Sequence, residues 1–246
     1  MPPEMLHSFA GPRIFTQYGG YARKHCDDPE YQAFVNTFDL IISMTPDLCF
    51  EWLGETPTYI PHSIDSVAYP FTWSDRPVIG HSPSTRARKG TEDLLAAVES
   101  LQQEREVTLE LIEGVTHEEV MTRKRHLGIF FDQAGREQAS LGTTVVVGWY
   151  GNSAIEAAVY GVPTVAHLSE AALAGAERAG WTEIRDIPIV NTPRGADGIR
   201  ETLAGILDLR ANDRRDLAVR TRKFVESFHD QPVVGQLLAK AYSSLR

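Results

Sequence analysis

Gly148-Trp149-Tyr150-Gly151-Asn152-Ser153-Ala154-Ile155-Glu156-Ala157-Ala158, running into Gly161-Val162-Pro163-Thr164-Val165, is the stretch around which the rest of this 246-residue chain can be ordered. Two glycines and a small-residue helix start let backbone approach a ligand closely. The pattern predicts a helix over 153–160, stopped by Gly161, and a strand over 164–167. Glu156, one turn into that helix, could accept hydrogen bonds from ribose hydroxyls. Two other readings stay open: the glycines as plain turn formers, and Ser153 with Glu156 as a capping box.

Outward from this segment, apolar β-branched runs alternate with helix-period segments. Strands are predicted at 77–80, 107–112, 127–131, 144–147 and 187–190. Helices are predicted at 91–103, with Leu94, Leu95, Val98 and Leu101 on one face, and at 116–126, where Thr116 and Glu119 fit a capping box. Further helices are expected at 170–179, 196–209 and 213–228, the last carrying Leu217, Phe224 and Phe228. Residues 77–210 therefore read as one α/β domain of βαβ units around a mainly parallel sheet.

Before residue 77 the pattern thins. Strands are expected at 13–17 and 40–44, helices at 30–37 and 46–53, an extended segment at 59–62 and a linker at 63–73. Tyr18-Gly19-Gly20-Tyr21 reads as a flexible aromatic loop. Two or three strands rarely hold together alone, so this front lobe is expected to pack on the main domain or on another copy of the chain.

Composition narrows the function classes. The formal net charge of −9 argues against a general grip on nucleic acid, which depends on Lys and Arg neutralising phosphates. Two basic clusters, Arg86/Arg88/Lys89 and Arg123/Lys124/Arg125, leave room for a local basic groove. No apolar run approaches the roughly 20 residues of a membrane span, and no secretory signal opens the sequence. Cys26 and Cys49 lack metal-ligand spacing and read as ordinary thiols of a reducing compartment, so a cytoplasmic location is expected and no metal.

Open α/β sheets bind ligands at the carboxyl ends of their strands. Besides the 148–158 segment, two others fall there. His81-Ser82-Pro83-Ser84-Thr85-Arg86-Ala87-Arg88-Lys89-Gly90 joins a strand to a helix and has the hydroxyls, cations and glycine that suit a diphosphate. It equally suits a solvated basic turn capped by Thr91. Asp132-Gln133 follows a strand directly and could fix sugar or ribose hydroxyls, or simply form a turn.

Taken in order, His-Ser-Pro-Ser, Lys-Gly-Thr, Ile-Glu-Gly, Asp-Gln and Gly-Trp-Tyr-Gly resemble a bacterial and phage-type subgroup of GT-B glycosyltransferases, close to the retaining group labelled family 4. Ile60-Pro61-His62-Ser63-Ile64-Asp65 is similar to the segment by which such enzymes cross between domains. The resemblance covers residues 58–232. It implies a Rossmann-like parallel-sheet donor domain over 71–232, a reduced N-terminal α/β lobe over 1–70 on the acceptor side, and a C-terminal tail over 233–246.

It also implies a nucleotide-sugar donor, with a UDP-sugar expected, and transfer to an acceptor hydroxyl with retention and without metal or other cofactor. Lys89, helped by Arg86 or Arg88, would neutralise the diphosphate, with Ser82 and Gly90 in the same loop. Gly151, Asn152 and Ser153 would donate to phosphate, and Glu156 would hold the ribose. Asp132, Gln133, Trp149 and Tyr150 would shape the sugar pocket. His7, His62 and Asp132 are the candidates for a polar group at the reacting centre, and His25 is a further histidine of the front lobe. The acceptor could be a saccharide, a lipid-linked sugar or a modified DNA base. A homodimer would cover the thin front lobe.

Two departures from the family pattern stand out. Gly148 occupies the position of a second Glu, eight residues before Glu156. The interval from Gln133 to Gly148 is long, and Gly135-Arg136-Glu137-Gln138 reads as an inserted loop at the mouth of the site. Only about 70 residues precede the second domain, which keeps open a donor-binding subunit inactive without a partner chain; a sugar-nucleotide epimerase of GT-B shape is a further alternative.

Overall fold

The structure is a computed structural model that describes residues 10–17, 19–26, 28–48, 57–72, 74–140 and 143–245. Strand β1 (Ile14–Gln17), helices α1 (Gly19–His25) and α2 (Pro29–Val35), strand β2 (Leu40–Ser43), a 3-10 turn (Pro46–Leu48) and strand β3 (Thr58–Tyr59) make the front lobe. Its strands run parallel in the order β1-β2-β3. Helix α2 starts where it should: Pro29 occupies the first turn and the Asp28 carboxylate accepts from the Glu30 N–H at 2.9 Å. Successive residues of β2 point to opposite faces. Ile41 joins Ala22, Tyr31, Val35 and Leu48, while Ile42 meets a different set described below.

The second lobe follows in chain order as β4 (Val78–His81), α3 (Arg86–Lys89), α4 (Thr91–Gln102), β5 (Thr108–Leu111), α5 (His117–Lys124) and β6 (Ile129–Gln133). A hairpin of β7 (Arg136–Ser140) and β8 (Thr143–Val147) comes next. After it come α6 (Asn152–Ala158), β9 (Thr164–Ala166), α7 (Glu170–Arg178), β10 (Val190–Asn191) and α8 (Ala196–Leu207). Five strands form a parallel sheet in the order β10-β9-β6-β4-β5. The sheet is covered on both faces, which is why β6 is apolar on both sides. Ile129 and Phe131 pack with Leu94, Val98 and Leu101 of α4 and Ile199 and Leu203 of α8. Phe130 packs with Met121 of α5 and Ala154, Ala157 and Ala158 of α6.

Because β5 lies on one side of β4 and β6 on the other, the strand order reverses between β4 and β6. A crevice opens at such a switch point, at the strands' carboxyl ends.

Two last helices, α9 (Ala211–Phe228) and α10 (Gln231–Ser243), tie the lobes together. Val234 and Ala241 of α10 pack on Ile42 and Ile60, with Leu237 and Leu238 alongside. At the junction Ile64 N–H donates to His229 O at 2.8 Å, and Gln231 N–H to Ile64 O at 3.1 Å. Arg222 of α9 donates to the carbonyls of Ser66 (2.8 Å), Tyr69 (2.6 Å) and Val159. On the other side of the seam, α7 lies against the 3-10 turn at Gly175, where a Cβ would sit 1.9 Å from Pro46 O.

Four local expectations change. Residues 19–21 belong to helix α1 rather than to a loop, while Tyr18 lies outside the described residues. Pro46–Leu48 is a 3-10 turn rather than the start of a helix to residue 53; residues 49–56 lie outside the described set. Gly135–Gln138 is not a loop, since 136–138 form β7 and pair antiparallel with β8. The C-terminal tail, for which no element was expected, is helical over Gln231–Ser243.

Candidate functional site

The carboxyl ends of β4 and β6 hold an interlocked polar set. His81, the last residue of β4, is fully buried and neutral, its pKa pushed down by burial. Its ring bonds Phe131 O at 2.9 Å and the Thr91 hydroxyl at 2.8 Å. Thr91 is thus spent on His81 and caps nothing; the residue before α4 is Gly90, with φ +69°. A Cβ there would lie 2.4 Å from Ala134 Cβ, so only glycine lets α3 close against the end of β6.

Lys89, at the end of α3, reaches Asp132 at 2.6 Å. The Asp132 side chain is wholly buried, and its other oxygen accepts from Gly151 N–H at 2.8 Å. That carboxylate, expected near the reacting centre, therefore fixes Lys89 and the start of α6 in place.

A second lysine–carboxylate pair joins α5 to α6. Lys124, the last residue of α5, is completely buried. It donates to Ser153 Oγ (2.7 Å), Ser153 O (3.0 Å) and Glu156 Oε2 (2.6 Å). Burial pushes its pKa down, and Glu156 pulls it back up. The Ser153–Glu156 capping box does not form: the N-cap is Gly151, and both side chains are engaged by Lys124. Lys124, which its neighbours Arg123 and Arg125 mark as part of a basic cluster, has this buried role instead, and sequence alone does not reveal it.

A cleft of about 520 Å³ opens over these groups, lined among others by His62, Ser82, Lys89, Gly114, Val115 and Glu156. A neighbouring cleft of about 350 Å³ shares Asn152 and Glu156 with it. Ser82, Lys89, Asn152, Ser153, Glu156 and His62 thus meet in one place. His62 is half-buried, burial lowers its pKa, and its ring makes no hydrogen bond among the described residues.

Other candidates sit elsewhere. Arg86 is exposed and does not line the cleft itself; it pairs at 2.5 Å with Glu113, which does. Gln133 is buried, donating to Trp149 O (3.2 Å) and His167 O (2.7 Å) and accepting from Gly135 N–H (2.5 Å). Trp149 and Tyr150 are also buried, so these three side chains brace the cleft from behind instead of lining it. The Tyr150 hydroxyl faces His229 Nε2 at 3.1 Å, and His229 Nδ1 faces His62 O at 2.7 Å. His25 stacks on Tyr21 in the front lobe, and His7 lies outside the described residues. Among the described residues no group of three His, Cys, Asp or Glu could hold a metal, and no helix is long and apolar enough to cross a membrane.

No protein-family model matches the chain, and no curated protein does. Solved structures match over nearly its whole length. A glycosyltransferase from Rickettsia africae aligns with a TM-score of 0.60 at 10% identity, over 94% of this chain and 70% of that one. The fold is the GT-B glycosyltransferase fold. An α-glucosyltransferase solved with UDP-glucose and DNA containing an abasic site aligns with a TM-score of 0.56 at 12% identity, over 98% of this chain and 75% of that one. The TarM protein of S. aureus, solved with UDP, also gives 0.56 at 12% identity, over 95% of this chain and 50% of that one. At such identities the likeness carries the GT-B architecture and no more.

Proposed function

We propose that the chain is a glycosyltransferase that takes a nucleotide-sugar in the cleft between β4 and β6 and passes the sugar to an acceptor hydroxyl. The observation that carries this reading is the meeting of Lys89, the Ser82–Ser84 loop and Glu156 in one cleft at the switch point of a GT-B fold. Lys89, held by Asp132, keeps N–H donors for a diphosphate and supplies the positive charge that a departing nucleoside diphosphate needs. Glu156 offers a carboxylate oxygen to the ribose, and the Gly114–Val115 backbone lies where a base would rest. His62 lines the same cleft from the crossing segment and would serve as the polar group toward the acceptor. UDP-sugars are the expected donors, since two of the structural neighbours were solved with UDP or UDP-glucose. Retention of configuration and transfer without metal complete the proposal.

The test is release of nucleoside diphosphate from UDP-glucose and UDP-N-acetylglucosamine, with and without saccharide acceptors. Wild type is expected to turn over, and Lys89→Met to lower kcat by about 10²–10³-fold, the usual cost of losing a group that stabilises developing charge. Binding without turnover would point to a subunit that needs a partner chain. Conversion of the donor sugar with no acceptor present would mark an epimerase. Equal rates in wild type and Lys89→Met would remove Lys89 from the site.

A further inference from the structure

The completely buried Lys124 is an expensive residue, because an ammonium loses its hydration there and is tolerated only when fully paired. All three of its N–H donors end on the first two turns of α6: two on Ser153 and one on Glu156 Oε2. The Phe130 ring, 4.8 Å away, covers another side of the ammonium. Glu156 is thereby asymmetric. Its Oε2 is closed off by Lys124, while Oε1 faces His117 Nε2 at 3.1 Å, and His117 is two-thirds exposed at 67%. One oxygen is locked, and the other has only a displaceable surface partner at the junction of the two clefts.

We infer that Lys124 is a positioning residue that holds Glu156 so that Oε1 accepts from the 2′,3′-diol of a ribonucleotide, with His117 as the group the sugar displaces. This rests on the donor-site reading above and adds to it a selection mechanism. A carboxylate free to swing would find water when a ligand lacks the hydroxyls. One clamped by Lys124 keeps Oε1 aimed at the ligand, so a nucleotide without the hydroxyls forgoes that hydrogen bond and binds more weakly. His117 competes for the same oxygen, so its loss favours the ligand.

The experiment is calorimetric titration of UDP, GDP and ADP, each against its 2′,3′-dideoxy form, into wild type, Lys124→Met, Glu156→Gln, the double variant and His117→Ala. Wild type should prefer the ribo form by about tenfold or more, as expected for hydrogen bonds to a charged group. Lys124→Met should weaken the ribo form about tenfold and leave the dideoxy form unchanged, erasing the preference. In the Glu156→Gln background Lys124→Met should change nothing further, and His117→Ala should tighten the ribo form. Equal weakening of both forms by Lys124→Met, or an intact preference, overturns the inference while the donor site stands. No nucleotide bound by folded wild type brings down both. Should Lys124→Met fail to fold, the exposed His117→Ala still decides: weaker ribo binding contradicts displacement.

Discussion

Asp132→Ala is expected to destabilise the folded protein by about 3 kcal/mol, the lower end of the range for breaking a buried ion pair by removing one partner. The Asp132 side chain is fully buried, and both oxygens are committed: one to Lys89 at 2.6 Å and one to Gly151 N–H at 2.8 Å. Alanine would strand the Gly151 N–H and leave the Lys89 ammonium unpaired. Lys89 is 20% exposed and can turn partly to water, which is why the lower figure applies. Asp132→Asn keeps an acceptor for Gly151 and should fall between wild type and alanine. Urea unfolding measures all three. A change within about 0.5 kcal/mol for alanine, as for an ordinary surface substitution, would mean that the carboxylate does not fasten α3 to α6.

Acid should unfasten the seam between the lobes. His229 is almost wholly enclosed, and burial holds its pKa down to about 4 from the usual 6.5. In the neutral ring Nδ1–H donates to His62 O and Nε2 accepts from the Tyr150 hydroxyl, whose own pKa burial raises so that it stays protonated. The unfolded chain protonates this imidazole as pH falls through 6.5, while the folded chain resists until about 4. The stabilisation is therefore complete above pH 6.5 and is lost progressively toward pH 4, by about 3 kcal/mol from this residue. His81 and His62 are shifted in the same direction, also by burial, and steepen the slope. Denaturant midpoints measured from pH 7 to pH 4 should fall more steeply in wild type than in His229→Gln. Parallel profiles would mean that His229 is not buried as a neutral ring.

The second lobe was legible because its central strand β6 is apolar on both faces and its helices carry regular stripes, as at Leu94, Val98 and Leu101. Where sequence and structure differ, the causes are specific. Strand β7 is Arg-Glu-Gln-Ala-Ser, without the alternation that marks a half-buried strand, so it looked like a loop. Helix α10 did carry a signal: Pro232 in its first turn, then Val234, Leu237, Leu238 and Ala241 at helical spacing. Lys124 was hidden by its charged neighbours, yet it lies three residues after Met121 and on the same buried face of α5. Periodicity marked that position, and its charge argued against it. The polar cluster could be named in part from the resemblance, through Lys89, Asp132 and Glu156. Which of these face the cleft depended on pairings across 32 to 43 residues, beyond the reach of local spacing.

The most direct test of a nucleotide-sugar site is thermal denaturation of the wild type with UDP, GDP, ADP, CMP and dTDP, beside Lys89→Met and Glu156→Gln, each verified as folded. One nucleotide should stabilise the wild type by about 2.7 kcal/mol at a hundredfold excess over its Kd. Both variants should lose most of that gain. A folded wild type whose melting temperature no nucleotide moves would contradict the account and leave a GT-B fold without a donor site.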